Sequence, residues 1–191
     1  MSNKFSIDIS FPNSYIKIRD YLLTELAPIL KANRPIIFIC IGTDRSTGDS
    51  LGPLIGYKLK FLSKNNIYIY GSLDTPVHAK NLTDILDKIN ISFINPYIIA
   101  IDSCLGSISN IGKIFIDKKP LNPGLALNKN LPSVGNMSIT GIVNISGSFE
   151  FLVLQNTRLS IVMNLADTIS KGIYHFILKT SDKNYKMNSI N

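Results

Sequence analysis

The sequence predicts an α/β fold with a mostly parallel, helix-flanked sheet, and three observations carry the prediction. The runs Ile36 to Ile41 and Tyr97 to Asp102 are apolar almost without interruption, as in strands buried on both faces inside a parallel sheet. The segments between and after them place apolar residues at helical spacing instead. Strand and helix signals then alternate over 191 residues with no internal repeat and no interdomain linker, which fits one domain over 1–180 and a polar tail over 181–191, expected to be frayed.

Residues 1–13 are mixed and end in a turn signal, Phe11-Pro12-Asn13. Ile18, Leu22, Leu26, Ile29 and Leu30 predict a helix over 14–31, bent near Pro28. After the strand at 36–41 comes a loop, Gly42 to Asp49, and then a helix with Leu51, Leu54, Ile55, Leu59 and Leu62 on one face. Pro53 falls in its first turn, where the missing N–H costs little. Ile67 to Tyr70 is a short strand, and Asn81 followed by Asp84 marks a helix start before Leu82, Ile85, Leu86 and Ile89. The run 97–102 is a strand that ends in a carboxylate. Lys113 to Asp117 is another, with alternation weak enough to place it nearer a sheet edge. The stretch from Pro120 to Ser138, rich in Pro, Gly and Asn, is a long connection of the kind compact domains keep for function. Ile139 to Ile145 returns to the sheet, and a long amphipathic helix runs from Leu159 to Ile177.

Composition removes several function classes. With 45% hydrophobic residues the chain has material for a core and is not a disordered segment. Two cysteines give neither a disulfide framework nor a paired-cysteine zinc motif. The opening residues lack the apolar core of a signal peptide and no apolar run is long enough to span a bilayer, so a cytoplasmic protein is expected. A net charge of +7 invites a nucleic-acid reading, but the basic residues are scattered and no stacking aromatics accompany them. A solvated basic surface that steers an acidic partner is the simpler account.

In a parallel sheet, ligands bind outside the carboxyl ends of the strands. Asp49, in the loop after 36–41, and Asp102, closing 97–102, fall at that edge. Two carboxylates that share a site drive one proton affinity up and supply an acid and a base together. Asp49 at a helix N-terminus would keep its charge, although an ordinary N-cap is the alternative reading. Asp102, at the end of a buried strand, would carry the proton. The glycine loop 42–52 fits neither dinucleotide nor P-loop spacing, and its two carboxylates disfavour a phosphate. A nucleophilic pair of Cys104 and His78 is conceivable, with a small buried Cys104 as the plainer reading. Cys40 belongs to the core, and His175 to packing or the surface.

The motif Ile39-Cys40-Ile41-Gly42-Thr43-Asp44-Arg45-Ser46-Thr47-Gly48-Asp49-Ser50-Leu51-Gly52-Pro53-Leu54 resembles the opening of the YyaC-type sporulation proteins. So do Leu73 to Ala79, Ala100 to Gly106, Ser133 to Gly141 and Leu154 to Leu159, a spread that covers nearly the whole domain. That family is similar to the spore germination protease and, more distantly, to hydrogenase-maturation endopeptidases. The resemblance implies a three-layer α/β/α fold of the phosphorylase/hydrolase type, with Asp49 and Asp102 as an aspartic catalytic pair.

Gly42, Thr43, Gly48 and Ser103, within the matching motifs, are expected in the substrate site, as is His78, whose loop follows a strand toward the same edge; Asp44 either holds Arg45 and the loop in place or adds a third carboxylate to the site. The segment from Ser133 to Thr140 would line it, with backbone N–H groups near Gly135 and Asn136 polarising the carbonyl. In the maturation endopeptidases the matching acids help bind nickel together with a histidine. Here His78 precedes Asp102 instead of following it, and neither a metal nor another cofactor is expected. Asp44 stands where the relatives carry Asn.

The function expected is therefore that of a sporulation-associated endopeptidase, cytoplasmic or in the forespore. Its partner would be a protein or peptide substrate such as a spore protein, with neither nucleic acid nor membrane as partner and a homo-oligomer left open. The alternatives are a non-catalytic sporulation factor binding a protein in the same cleft, and a metal-dependent peptidase.

Overall fold

A computed structural model describes residues 4–62, 66–123 and 131–181. Its elements are β1 (Phe5–Asp8), α1 (Ser14–Lys31), β2 (Ile36–Cys40), α2 (Leu51–Leu59), β3 (Ile67–Tyr70), α3 (Leu82–Ser92), β4 (Tyr97–Gly106), β5 (Lys113–Asp117), β6 (Met137–Ile145), α4 (Glu150–Gln155) and α5 (Leu159–Ser181). Six strands form one sheet in the order β1-β5-β6-β4-β2-β3, in which β5 alone runs against the others. The α/β expectation holds, with a mixed, mostly parallel sheet flanked by helices. The polar tail expected over 181–191 lies, beyond Ser181, outside the described residues.

Alternation along the central strands sorts the layers. Ile36, Phe38 and Cys40 of β2 join Ile99 and Ile101 of β4 in a large core with Ile18, Leu22 and Leu26 of α1, Leu51 and Ile55 of α2, and Leu165, Ile169 and Phe176 of α5. Ile37 and Ile39, with Ile98 and Ala100, face the other way and pack on Leu82 and Ile89 of α3. Both faces of β2 are thus covered, which is why its sequence shows no alternation. The second face is less fully covered by helix, since α3 is the described helix whose residues join that smaller core.

Four differences from the sequence reading have physical causes. β1 went unassigned because Ile7 is its one fully buried residue. It pairs antiparallel outside β5, which therefore lies one strand in from the edge. α4 also went unassigned, being a helix of 6 residues that exposes Phe151 and Leu152. β4 continues to Gly106, so Asp102 stands inside the strand, because β6 keeps pairing with it as far as Gly106↔Ile145. Asn81 does precede α3, but its side chain makes no cap bond. It reaches back into the preceding loop, accepting from the His78 N–H at 2.8 Å and donating to the Pro76 carbonyl at 3.0 Å.

Candidate functional site

β2 connects outward to β3, whereas β4 connects to the opposite half of the sheet, so the loops after β2 and β4 diverge and leave a crevice between them. The last β2–β4 link is the Ile41 N–H on the Ile101 carbonyl at 2.7 Å. At Gly42 the chain turns away with φ +141°, a conformation that favours glycine, and a Cβ there would lie 2.1 Å from the Asp49 carbonyl oxygen. The loop folds back on this glycine: Thr43 N–H donates to the Asp49 carbonyl at 3.1 Å and Asp49 N–H to the Ser46 carbonyl at 3.1 Å. Asp49 therefore sits in the single turn Gly48–Ser50 that leads into α2, and the N-cap position of that helix is Ser50.

This return brings Asp49 beside Asp102, the first β4 residue beyond the register with β2. Asp102 is 9% exposed. Burial first, and the Asp49 charge second, push its carboxyl well above the usual carboxylate range, against the pull of the Ser103 N–H that donates to Oδ1 at 2.7 Å. An acid whose proton affinity is raised beside a partly exposed second acid suits general acid–base chemistry.

Two cavities meet at this pair. One, of about 380 Å³, is lined by Gly42, Thr43, Arg45, Ser46, His78, Lys80, Leu131 and Phe151 among others. The second, of about 310 Å³, is lined by Lys4, Ser103, Cys104, Lys119, Ser138 and Thr140 among others. Asp49, Asp102 and Leu154 line both. Leu154 comes from α4, which is tied down by Asn144 Nδ2 donating to the Val153 carbonyl and to Thr157 Oγ1. Gly48 is buried under it, where a Cβ would meet Leu154 and Thr157. His78 reaches the first cavity because the β2–β3 alignment continues past both strands, through the Ile41↔Val77 bridge and the Gly42 N–H on the Val77 carbonyl at 2.8 Å.

Of the residues expected at the site, Gly42, Thr43 and His78 line the first cavity, and Ser103 and Thr140 the second. Four do not belong to the lining. Asp44 is exposed and borders neither cavity, and Gly48 serves packing. Gly135 and Asn136 lie at the other end of the sheet. The parallel register Ile99↔Met137 sets Asn136 level with Ile98, whose N–H it accepts at 2.9 Å, about 13 Å of strand from Asp102. Their N–H groups are therefore not placed to polarise a carbonyl at the acidic pair.

The cysteine readings are also corrected. Cys104 is exposed, not buried, and it lines the second cavity while His78 lines the first, so the two make no nucleophilic pair. Desolvation and Asp102 push its thiol up, the reverse of what a thiolate needs. Burial pushes the Cys40 thiol up to about 12. His175 packs on Tyr15, ring centroids 5.2 Å apart. Arg45, Ser46, Lys80, Phe151 and Leu154 were not singled out from the sequence as site residues. Their signal was membership of, or closeness to, the quoted motifs around 39–54, 73–79 and 154–159.

A resident nickel or zinc ion would need a third side chain beside the two aspartates. Among the described residues no group of three or more His, Cys, Asp or Glu side chains is placed to hold such an ion. Among them, too, no helix is long and apolar enough to cross a membrane.

Fold and crevice together define an α/β protein with the fold of a hydrogenase maturation protease. The solved structure of a NiFe hydrogenase maturation protease, HycI from Thermococcus kodakarensis KOD1, matches with a TM-score of 0.52 over 81% of this chain and 99% of that one, at 16% identity. The chain belongs to the family described as "Protein of unknown function (DUF1256)", whose model matches residues 6–172. It is 50% identical over 142 residues to "Uncharacterized protein YyaC" of Bacillus subtilis (strain 168), covering 74% of this chain and 69% of the relative.

Proposed function

We propose that this protein is an endopeptidase in which Asp49 and Asp102 activate water against a peptide carbonyl. The observation that carries the reading is the buried Asp102 carboxyl, its proton affinity raised by burial and by the Asp49 charge, where two cavities meet. Cavities on both sides of the pair suit a chain that passes through the site, hence cleavage of an internal bond. Asp49 is partly exposed, ahead of the α2 N-terminus, and carries the pair's negative charge. It takes a proton from water as the water oxygen bonds to the carbonyl carbon, and Asp102 gives its proton to the carbonyl oxygen. As the tetrahedral intermediate collapses, its hydroxyl returns a proton to Asp102 and becomes a carbonyl again, the C–N bond breaks, and Asp49 passes the proton it took from water to the leaving amine.

The motif resemblance to YyaC-type proteins and, through them, to the spore germination protease supports placing this activity in sporulating cells. On that reading the protein works in the cytoplasm or forespore on a spore protein. Proteolysis of a spore-protein extract by wild type and Asp102→Asn, read by mass spectrometry, tests this. New fragments with wild type that vanish with a folded Asp102→Asn support the peptidase. No fragments across a wide pH range would leave a protein-binding factor that uses the same cleft.

A further inference from the structure

Five described residues other than glycine hold a left-handed backbone: Asn13, Asn33, Asn66, Asn95 and Phe149. Asparagine tolerates that conformation at little cost, whereas a bulky aromatic residue there is strained. Phe149, at φ +60° and ψ +41°, is the N-cap residue of α4, and its side chain makes no cap bond. The strain brings no packing within the chain, because Phe149 is 78% exposed. Its carbonyl accepts the Leu152 N–H at 2.8 Å and the Val153 N–H at 3.1 Å, so the turn that opens α4 leaves the ring in solvent. Strain that nothing inside the molecule offsets points to a contact outside it.

The surroundings supply the surface for such a contact. Ile145, Phe151, Leu152 and Leu159 are 44–56% exposed and lie with Phe149 in the segment 145–159. At about 150–250 Å² for a fully open large side chain, these five present on the order of 500 Å² of apolar area. A standard interface buries about 800 Å² per partner, a little over half of it apolar, so the patch matches what a stable dimer needs. Charge decides which partner fits. Between residues 144 and 160 the ionisable side chains are Glu150 and Arg158, one at either end of α4, and neither forms a salt bridge among the described residues. A two-fold axis across the middle of α4 sets two copies of the helix antiparallel, so that Glu150 meets Arg158 of the partner subunit, and by symmetry does so twice. We propose that this face pairs two copies of the chain, with Phe149 as its aromatic anchor and the Glu150–Arg158 contacts fixing the orientation. The same helix lines the crevice through Phe151 and Leu154, so pairing braces one wall of the site. The inference stands whether or not Asp49 and Asp102 hydrolyse peptides.

Sedimentation velocity of the full chain between about 1 and about 100 μM tests this, with a dimer of Kd about 10 μM or tighter expected. Phe149→Asn installs the residue that the other four left-handed positions carry. It should weaken the dimer about tenfold or more, while the thermal midpoint of the dilute, monomeric chain stays the same or rises. Glu150→Arg and Arg158→Glu should each weaken the dimer about threefold or more, because like charges then face each other. The double variant with both changes should dimerise as wild type does. That rescue is specific to two copies meeting in this register, since a different protein would not carry the compensating charge. A monomer throughout the range, a dimer that Phe149→Asn leaves intact, or a double variant no better than the single ones overturns the proposal.

Discussion

Asp102 stands opposite Thr140 across the parallel β4–β6 pair, one residue beyond the last partner that β2 offers to β4. The strand therefore stays paired with β6 on one side of Asp102 while the other side opens into the crevice. The carboxyl is held rigidly and desolvated, yet it faces space that a second acid and a substrate can share. Asp49 fills part of that space because the loop after β2 doubles back on Gly42.

Replacing either acid by asparagine should lower peptide hydrolysis by about 10²- to 10⁴-fold, the range for losing a positioned acid or base. Circular dichroism and the thermal midpoint should show both variants folded. Unchanged turnover in either would remove that residue from the mechanism.

The raised proton affinity of Asp102 makes stability depend on pH. The folded chain binds this proton more tightly than the unfolded one does. The associated stability is fully present below about pH 4 and is lost as pH rises through the elevated value. The thermal midpoint of Asp102→Asn relative to wild type should therefore increase between pH 4 and pH 8. The same comparison made in an Asp49→Asn background should show a smaller increase, because the second cause of the shift is gone.

Gly42→Ala should damage both stability and activity. A Cβ 2.1 Å from the Asp49 carbonyl oxygen, at φ +141°, forces the loop to move. A cost of about 2–4 kcal/mol in urea unfolding is expected, with turnover reduced beyond what the stability loss explains. A fully active Gly42→Ala would show that Asp49 does not depend on this turn.

Asn81→Ala removes both bonds that fix the loop before α3, at His78 N–H and the Pro76 carbonyl. About 1–2 kcal/mol of stability should be lost. If His78 lies at the substrate, KM should rise more than kcat falls.

A maleimide should label Cys104 in the native protein and Cys40 only after unfolding, since the first is exposed and the second fully buried. The adduct would occupy the cavity that Cys104 shares with Asp49 and Asp102, so labelling should abolish turnover. Mass spectrometry of the digested protein, alongside the activity assay, checks both statements.

The sequence alone determined the layer structure and the acidic pair. Continuous apolar runs mark strands covered on both faces, and residues that follow such strands in a parallel sheet share one edge, so Asp49 and Asp102 were legible without coordinates. Register was not. Gly135 and Asn136 lie close in sequence to Thr140, but the pairing Ile99↔Met137 sends them to the amino end of β4, and no local pattern encodes that offset. Nor did local pattern reveal α4, which exposes Phe151 and Leu152 and whose Leu154 matters through contact with Gly48. Tertiary structure also decided the pairing of Ser46 with His78 in one cavity wall, because the Ile41↔Val77 bridge joins loops about thirty residues apart. Periodicity reports which face a residue takes, whereas a site depends on which distant segments close over that face.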